Sequence, residues 1–256
     1  MAERLAAEPE DNRRAGGRSH DFEGCANFRD LGGLPGEGGR LVRRGILFRS
    51  MTPEHMTPAD LARARGLGIA LVVDLRGRRF KTSGALGDPP ARRVTVGSRR
   101  SWRWDQQARI AFQNAAPEVA LPQVMERLGR TFGAAVGHIA RAEGPALYHC
   151  RLGKDRTGVL SALLLKLFGV SDADVIDDYL ESAAELERVR AVLRRAGEPV
   201  TPPEDATRLV REPPHRGAME ALLARLEAEG GAFAFLRDRG ATKRDLLALK
   251  ARALGQ

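Results

Sequence analysis

Short apolar runs alternate along this chain with longer segments in which apolar residues recur at helical spacing. A short run of apolar or β-branched residues between turn residues is typical of a buried strand, whereas the wider spacing is typical of an amphipathic helix. We predict strands over residues 41–48, 70–75, 94–96 and 146–148. Strands that alternate with helices favour an α/β fold with a central, mostly parallel sheet flanked by helices.

Hydroxyl residues predict where several of the helices begin. Thr57 and Ser171 are each followed three residues later by an aspartate, as in a capping box, and Thr242 precedes another helical segment. The helix after Thr57 should end near residue 66 or 68, where glycines stand. Further helices are predicted over residues 123–142, 183–196, 219–229 and 243–254.

Three segments show neither pattern clearly. Residues 97–122 include two prolines and no clean period, so we expect a mobile excursion that contains one short helix. Residues 198–214 contain five prolines and should form an exposed loop. The first twenty residues are charged and lack the apolar stretch of a secretory signal. We therefore expect a partly disordered arm over residues 1–20 and a single domain over residues 21–256.

The composition excludes several classes of protein. Of the 256 residues 43% are hydrophobic, which allows a substantial core, and no apolar run is long enough for a membrane-spanning helix. Cys25 and Cys150 are too few for a disulfide framework and suit a reducing compartment. We expect a cytoplasmic location, or export without a recognisable signal peptide. Apart from His149 the histidines are scattered, so we expect no metal site and no cofactor.

Positive charge is concentrated in one stretch of the chain. Residues 75–110 carry ten Lys or Arg against two Asp, within a chain whose net charge is +9. An arginine-rich composition explains much of this, and the remainder favours a field that attracts anionic substrates. Trp102 and Trp104 lie among these arginines, so we predict that residues 76–109 form part of a substrate entrance or a lid. No familiar nucleic-acid motif accompanies them, and no nucleic-acid partner is expected.

The most informative stretch, HCRLGKDRTG, runs from His149 to Gly158 and joins a predicted strand to an apolar helix. A tight loop in this context can bind an anion, because its N–H groups point inward and the helix N-terminus adds positive charge. In that field Cys150 should be a nucleophilic thiolate near neutral pH. The planar guanidinium of Arg156 can bind two oxygens of a phosphate. The phosphate-binding residues are expected to be Arg151, Leu152, Gly153, Lys154 and Thr157.

Two motifs resemble those of a known family. Cys-X5-Arg-Thr is the signature of cysteine-dependent phosphatases of the protein-tyrosine-phosphatase superfamily. The fuller HCxxGKDRTG string is similar to a branch of bacterial tyrosine/serine phosphatases that includes secreted virulence factors acting on phosphoproteins and phosphoinositides. NFRDLGG at residues 27–33 is similar to the N-terminal motif of that branch, and LFRS at 47–50 and VVDLR at 72–76 match in order and spacing. The resemblance extends from residue 22 to the C-terminus and implies a protein-tyrosine-phosphatase-like fold.

The resemblance also implies a reaction. Cys150 would attack phosphorus to form a cysteinyl-phosphate that water then hydrolyses, and Arg156 would bind the equatorial oxygens of the transition state. Thr157 matches the hydroxyl that helps the thiolate leave, and His149 orients the loop. The expected substrates are phosphotyrosine proteins, with phosphoserine and phosphothreonine proteins or phosphoinositides as further classes. Lys154 favours phosphoinositides, since a comparable lysine in lipid phosphatases contacts additional phosphates of the inositol ring.

Two aspartates are candidates for the general acid that protonates the leaving group. Asp74 ends a buried strand at the edge where a parallel sheet places its ligands, and it matches the family's Asp-Leu-Arg position. Asp155 lies within the anion loop. Each has a structural alternative, namely a salt bridge of Asp74 with Arg76 or Arg156, or of Asp155 with Lys154. We favour Asp74.

Other functions compete with hydrolysis. A catalytically silent phosphate-binding module would use the same cup, although the intact cysteine, arginine and threonine argue against it. Sulfur or arsenate chemistry uses similar cysteine loops, but rhodanese-type loops lack the Gly-Lys-Asp-Arg-Thr continuation. A nucleotide-binding P-loop is excluded, because Asp155 follows the Gly-Lys pair where Ser or Thr would be required. Residues 27–33 are expected to be structural and Cys25 inert.

Overall fold

A computed structural model describes residues 17–76, 86, 91–96, 111–200 and 208–255. Its central sheet has the strand order β1-β2-β5-β3-β4. The strands are β1 (Arg29–Asp30), β2 (Leu47–Ser50), β3 (Leu71–Asp74), β4 (Arg92–Thr95) and β5 (Ala146–His149). Only β1 and β2 are antiparallel among these pairs, so the prediction of a mostly parallel sheet is confirmed.

Helices flank this sheet on both faces, which confirms the α/β class. They are α1 (Pro58–Arg65), α2 (Pro117–Arg127), α3 (Gly129–Ala140), α4 (Asp155–Leu167), α5 (Asp172–Ala184), α6 (Leu186–Arg195), α7 (Arg208–Arg211), α8 (Arg216–Ala228), α9 (Gly231–Asp238) and α10 (Lys243–Leu254). Among the described helices none combines the length and the apolar character needed to cross a bilayer.

Successive residues of the central strand β5 face opposite sides of the sheet. Ala146 and Tyr148 pack into the larger core, which the helices α2–α5 and α8–α10 cover. Leu147 packs into a smaller core with Phe28 and Val189. Because β5 is buried on both faces, its position in the sheet is fixed. The loop that follows it therefore begins at a fixed point.

The predicted helix starts at hydroxyl residues are confirmed. The Thr57 side chain accepts from the N–H of Asp60 while the Asp60 carboxylate accepts from the N–H of Thr57. Ser171 and Thr242 cap α5 and α10 by accepting from N–H groups three residues later. These local bonds satisfy N–H groups that the helix itself leaves unpaired.

Three element boundaries differ from the prediction. The strand expected over 41–48 begins only at Leu47, because the chain turns at Gly45, whose φ is +73°. The helix expected over 123–142 begins earlier and is broken at Leu128. Pro117 occupies the first position of α2, where its missing N–H removes no hydrogen bond. Within the expected loop 198–214, α7 forms and buries Leu209.

Several sequence-based predictions concern residues that the structure does not describe or describes only in part. Residues 1–16 of the expected arm lie outside the described residues, whereas Arg18 is buried and Ser19 forms a bridge with Arg29. Residues 97–110, with Trp102 and Trp104, and most of the basic segment 76–109 also lie outside the described residues.

Three strand ends meet at one edge of the sheet. His149 at the end of β5 pairs with Ser50 of β2 on one side and with Asp74 of β3 on the other. In a parallel sheet, ligands bind beyond the carboxyl ends of the strands. The loop between β5 and α4 leaves the sheet at this edge.

Candidate active site

The loop between β5 and α4 is held through its carbonyl groups. Each carbonyl from residue 149 to residue 154 accepts a hydrogen bond; the donors are Leu75 N–H, His149 Nδ1, Thr52 N–H, Asn27 Nδ2, Arg49 Nη2 and Gly158 N–H. In the described part of the chain, the N–H groups of residues 151–154 donate to no protein acceptor. Unpaired N–H groups on one curled loop at a helix N-terminus form an anion-binding site.

Gly153 permits the tight curl of this loop. Its φ is +70°, in the left-handed region that glycine adopts without penalty. A Cβ at this position would lie 2.6 Å from the backbone N of Met51 and 2.6 Å from the carbonyl of Ser50. The loop therefore lies directly against the end of β2, and only glycine fits there.

Two side chains, Asn27 of the N-terminal motif and Arg49 of β2, bind carbonyls of the loop. Asn27 Nδ2 donates to the carbonyls of Leu152 and Gly153 at 3.2 and 3.0 Å, and Arg49 Nη2 donates to the Gly153 carbonyl at 2.8 Å. Arg49 is fully buried, and its Nη1 lies 2.6 Å from a carboxylate oxygen of Asp178. Residues 27–33 were expected to be structural, and Asn27 supports the loop in this way.

Cys150 and His149 lie at the start of the loop. Cys150 is 3% exposed, and His149 is completely buried. The ring nitrogen Nδ1 of His149 lies 3.1 Å from the Cys150 carbonyl, to which it can donate. Burial lowers the pKa of His149 to about 4, against the opposing charge of Asp74, so the imidazole is neutral at physiological pH. This arrangement fits a histidine that orients the loop.

Arg156 and Thr157 belong to the first turn of α4. Arg156 is partly exposed, and its Nη1 lies 3.4 Å from the carbonyl of Leu75, near the end of β3. The Thr157 hydroxyl is buried, and no hydrogen-bond partner is found for it among the described residues. The guanidinium of Arg156 and the buried hydroxyl of Thr157 thus lie in the first helical turn after the anion loop.

The two general-acid candidates have opposite environments. Asp74 is bound by Arg76, whose backbone N–H and guanidinium Nε both donate to Oδ1, at 2.8 and 3.0 Å. Burial alone would raise the pKa of Asp74, but the hydrogen bonds and the charge of Arg76 outweigh it and lower the pKa. Arg76 also forms a salt bridge with Glu54 at 2.7 Å. The structure thus shows the salt bridge with Arg76 that was the alternative to a catalytic role for Asp74.

The second candidate, Asp155, lies beside the cationic side chains of Lys154 and Arg156. Burial raises the pKa of this carboxyl although Lys154 and Arg156 oppose the rise. The Lys154 ammonium lies 3.5 Å from Oδ1, and this oxygen has no hydrogen-bond partner in the described part of the chain. Of the two candidates, Asp155 has a raised pKa and Asp74 a lowered one.

Lys154 and Arg151 are engaged with the protein. The buried ammonium of Lys154 donates to the carbonyls of Leu209 and Glu212, at 2.6 and 2.7 Å, at the end of α7. The sequence suggested that this ammonium contacts additional phosphates of a substrate, but in the structure it binds backbone oxygens. The Arg151 guanidinium donates to the carbonyl of Pro199 at 2.7 Å, so the contribution of Arg151 to an anion site is its N–H group.

The second cysteine is not part of this site. Cys25 is completely buried, and its thiol lies 3.8 Å from the Met51 carbonyl. Burial raises the pKa of Cys25 to about 12, which keeps the thiol protonated and unreactive. Within the described residues, no cluster of His, Cys, Asp or Glu has the geometry to hold a metal ion.

A parallel sheet with a cysteine loop and an arginine at the carboxyl end of its central strand is the arrangement of protein-tyrosine-phosphatase-like folds. A model of the tyrosine phosphatase family matches residues 20–255, and the chain belongs to that family. The phosphatase fold and the family that the sequence motifs indicated are thereby confirmed.

Relatives of this chain carry phosphatase names. A Cupriavidus necator protein, named as a candidate tyrosine-protein phosphatase, is 35% identical over 72% of this chain and 71% of its own length. A tyrosine-protein phosphatase of Nostoc commune is 30% identical over 79% and 71%. The triple specificity protein phosphatase PtpB of Mycobacterium tuberculosis is 26% identical over 67% and 71%. The crystal structure of Pseudomonas aeruginosa TpbA covers 61% of this chain and 82% of its own, with 19% identity and a TM-score of 0.31.

Proposed function

We propose that this tyrosine phosphatase family member hydrolyses phosphomonoesters through a cysteinyl-phosphate at Cys150. The loop of residues 150–154 carries the proposal, because its carbonyls are bound while the N–H groups of residues 151–154 have no protein acceptor in the described part of the chain. Three phosphate oxygens can accept from these N–H groups and from Arg156, which brings phosphorus to the sulfur. The sulfur lone pair then forms the S–P bond as the P–O bond to the leaving group breaks.

Asp155 is the general acid of the proposed first step. The leaving oxygen departs with the bonding electron pair and takes the carboxyl proton of Asp155. Burial raises the pKa of Asp155 and so favours the protonated form that this step needs, whereas the pKa of Asp74, bound to Arg76, is lowered. The role of Asp74 is then to fix Arg76 and to face the neutral His149.

Water completes the proposed cycle in the second step. The Asp155 carboxylate accepts a proton from water as the water oxygen attacks phosphorus, and the S–P electron pair returns to the sulfur. The Thr157 hydroxyl, buried and unpaired among the described residues, is the donor that stabilises the departing thiolate. Arg156 holds the equatorial oxygens in both steps through the two parallel N–H groups of its planar guanidinium.

Phosphotyrosine proteins are the proposed substrates. The family and the names of the relatives support this class, and the name of the mycobacterial relative extends it to triple specificity. Phosphoserine and phosphothreonine proteins and phosphoinositides are therefore further candidates for this chain. Lys154 gives phosphoinositides no additional support, because its ammonium binds the carbonyls at the end of α7.

An assay of the purified chain with phosphotyrosine, phosphoserine and phosphatidylinositol phosphate substrates tests this proposal. We expect turnover of phosphotyrosine peptides, and its loss in Cys150→Ser, which keeps the loop but has no thiolate. Cys25→Ala is the matched control, since that thiol is completely buried, contacts the Met51 carbonyl and should not affect turnover. Hydrolysis by pure Cys150→Ser protein would contradict the mechanism. Binding of phosphate without turnover in the wild type would identify a silent phosphate-binding module.

A further inference from the structure

A buried cluster of charges lies behind the anion loop. Asp178, on α5, is 2% exposed and contacts three arginines: Arg49 at 2.6 Å, Arg18 at 2.9 Å and Arg29 at 3.2 Å. The carboxylate of Glu181, partly exposed, also binds Arg18 and Arg29. Three guanidinium groups thus meet two carboxylates, which leaves one positive charge beside the loop.

Two arginines of this cluster, Arg49 and Arg29, connect Asp178 to the loop through hydrogen bonds. Arg49 uses Nη1 for Asp178 and Nη2 for the Gly153 carbonyl. Arg29 donates from Nε to the Asp178 carboxylate and from Nη2 to the Asp178 carbonyl, and its Nη1 donates to the amide oxygen of Asn27. Since Asn27 donates in turn to the carbonyls of Leu152 and Gly153, the two side chains that bind these carbonyls are both oriented from Asp178.

Charge balance explains why a carboxylate is needed at this place. Arg49 and Arg29 are buried side by side, and two unpaired guanidiniums would repel each other strongly. Burial alone would raise the pKa of Asp178, but the charges of Arg29, Arg49 and Arg18 outweigh it and hold the pKa far below its ordinary range. The three guanidinium groups therefore favour the ionised form of Asp178.

We propose that Asp178 is a positioning residue of the phosphatase reaction, which orients Arg49 and Arg29 so that the loop carbonyls face away from the phosphate site. This inference rests on the proposed function of the loop. It assigns to α5 a part in catalysis without contact to the substrate. A loop whose carbonyls were released would rotate some of them toward the phosphate, where they repel its oxygens.

Asp178→Asn tests this role, with Asp177→Asn as the matched control. Asn keeps the shape of the side chain and removes the charge, while Asp177 is the preceding residue on the same helix and is exposed. We measure kcat and KM for an aryl phosphate, and the inhibition constant of vanadate, as a probe of the anion site. For Asp178→Asn we expect a fall of about ten- to a hundredfold in kcat and a vanadate affinity at least about tenfold weaker. Asp177→Asn should match the wild type.

Arg49→Lys keeps the test decisive if Asp178→Asn does not fold. A lysine there retains a positive charge for Asp178, but a single ammonium cannot also reach the Gly153 carbonyl in the geometry of the guanidinium fork. We expect this variant to fold and to lose vanadate affinity. The inhibition constant reports on the folded molecules alone, so a general loss of stability does not change it.

The outcomes separate the two proposals. Wild-type vanadate affinity and kcat in the folded variants would overturn the role of Asp178. Vanadate binding without turnover in the wild-type protein would overturn the phosphatase mechanism, and the change in affinity would still decide the role of Asp178. A wild-type protein that binds no vanadate would overturn both.

Discussion

Replacement of His149 by Asn should remove a pH dependence from the stability of the protein. In an unfolded chain a histidine has a pKa of about 6.5. In the folded protein, burial lowers the pKa of His149 to about 4, although the charge of Asp74 opposes this. As the pH falls below 6.5 the unfolded chain takes up a proton that the folded protein does not, so protons favour unfolding.

The size of the effect follows from the two values. The folded-state pKa is lower by about 2.5, and each pH unit contributes about 1.4 kcal/mol, so the free energy of unfolding falls by about 3 kcal/mol between pH 6.5 and pH 4. Above pH 7 His149 is neutral in both states and contributes no pH dependence. Most of the loss should therefore be visible by pH 4.5.

Urea unfolding of the wild type and of His149→Asn from pH 4.5 to pH 8 measures this effect. The difference in unfolding free energy between the two proteins should be constant from pH 7 to pH 8. It should then shift by about 2 to 3 kcal/mol in favour of the variant as the pH falls to 4.5. Curves that stay parallel over the whole range would refute the assignment of His149 as a buried, neutral, orienting residue.

Three further predictions test other parts of the site. Asp155→Asn should slow the hydrolysis of phosphates with poor leaving groups by about a hundredfold or more and of those with good leaving groups far less; an Asp74→Asn variant with that selectivity would instead restore Asp74 as the acid. Gly153→Ala should lose its activity and at least about 2 kcal/mol of stability. The control Gly38→Ala, at a glycine with φ +65° and open space around it, should lose only about 1 kcal/mol. Equal losses would show that the close contact of Gly153 with β2 does not add to the cost of the substitution. Vanadate should inhibit turnover and EDTA should not, because a thiolate supplies the nucleophile; loss of activity in EDTA that a divalent ion restores would oppose this.

The parts of the site that were predictable are those encoded locally. The order of Cys150, Gly153, Arg156 and Thr157 on a loop between an apolar strand and an apolar helix indicated an anion site, because spacing within one loop fixes relative position. Capping at Thr57 was predictable for the same reason, since its partner lies three residues away. In both cases the chemistry depends on neighbours in the sequence.

The positions that were missed depend on distant contacts. Asp178 acts with Arg49 and Arg18, which are 129 and 160 residues away in the chain, so no local pattern connects them. One signal was present: Asp178 falls on the same helical face as Val175 and Tyr179, where an acid is buried only if it is paired. For Lys154, the burial of its ammonium by α7 depends on how a proline-rich segment folds back, which periodicity does not reveal.

The choice of a general acid depends on more than the position of a carboxyl group in the sequence. Asp74 and Asp155 both reach the carboxyl edge of the sheet, and the sequence favoured Asp74 because of its place at the end of a buried strand. The choice depends on protonation, which burial and paired charges determine. Arg76, two residues after Asp74, supplies the salt bridge that keeps that carboxyl ionised.

Detection of phosphate on Cys150 during turnover tests the central claim most directly. An aryl phosphate is mixed with the purified protein, the reaction is quenched in acid within milliseconds to seconds, and the digested protein is analysed by mass spectrometry. We expect phosphate on the peptide that contains Cys150, with a level that rises to a steady state and disappears when the substrate is exhausted. Asp155→Asn should accumulate more of it for good leaving groups, since that variant lacks the base for the second step. Phosphate on another residue, or turnover with no phosphorylated Cys150 at any quench time, would contradict the mechanism.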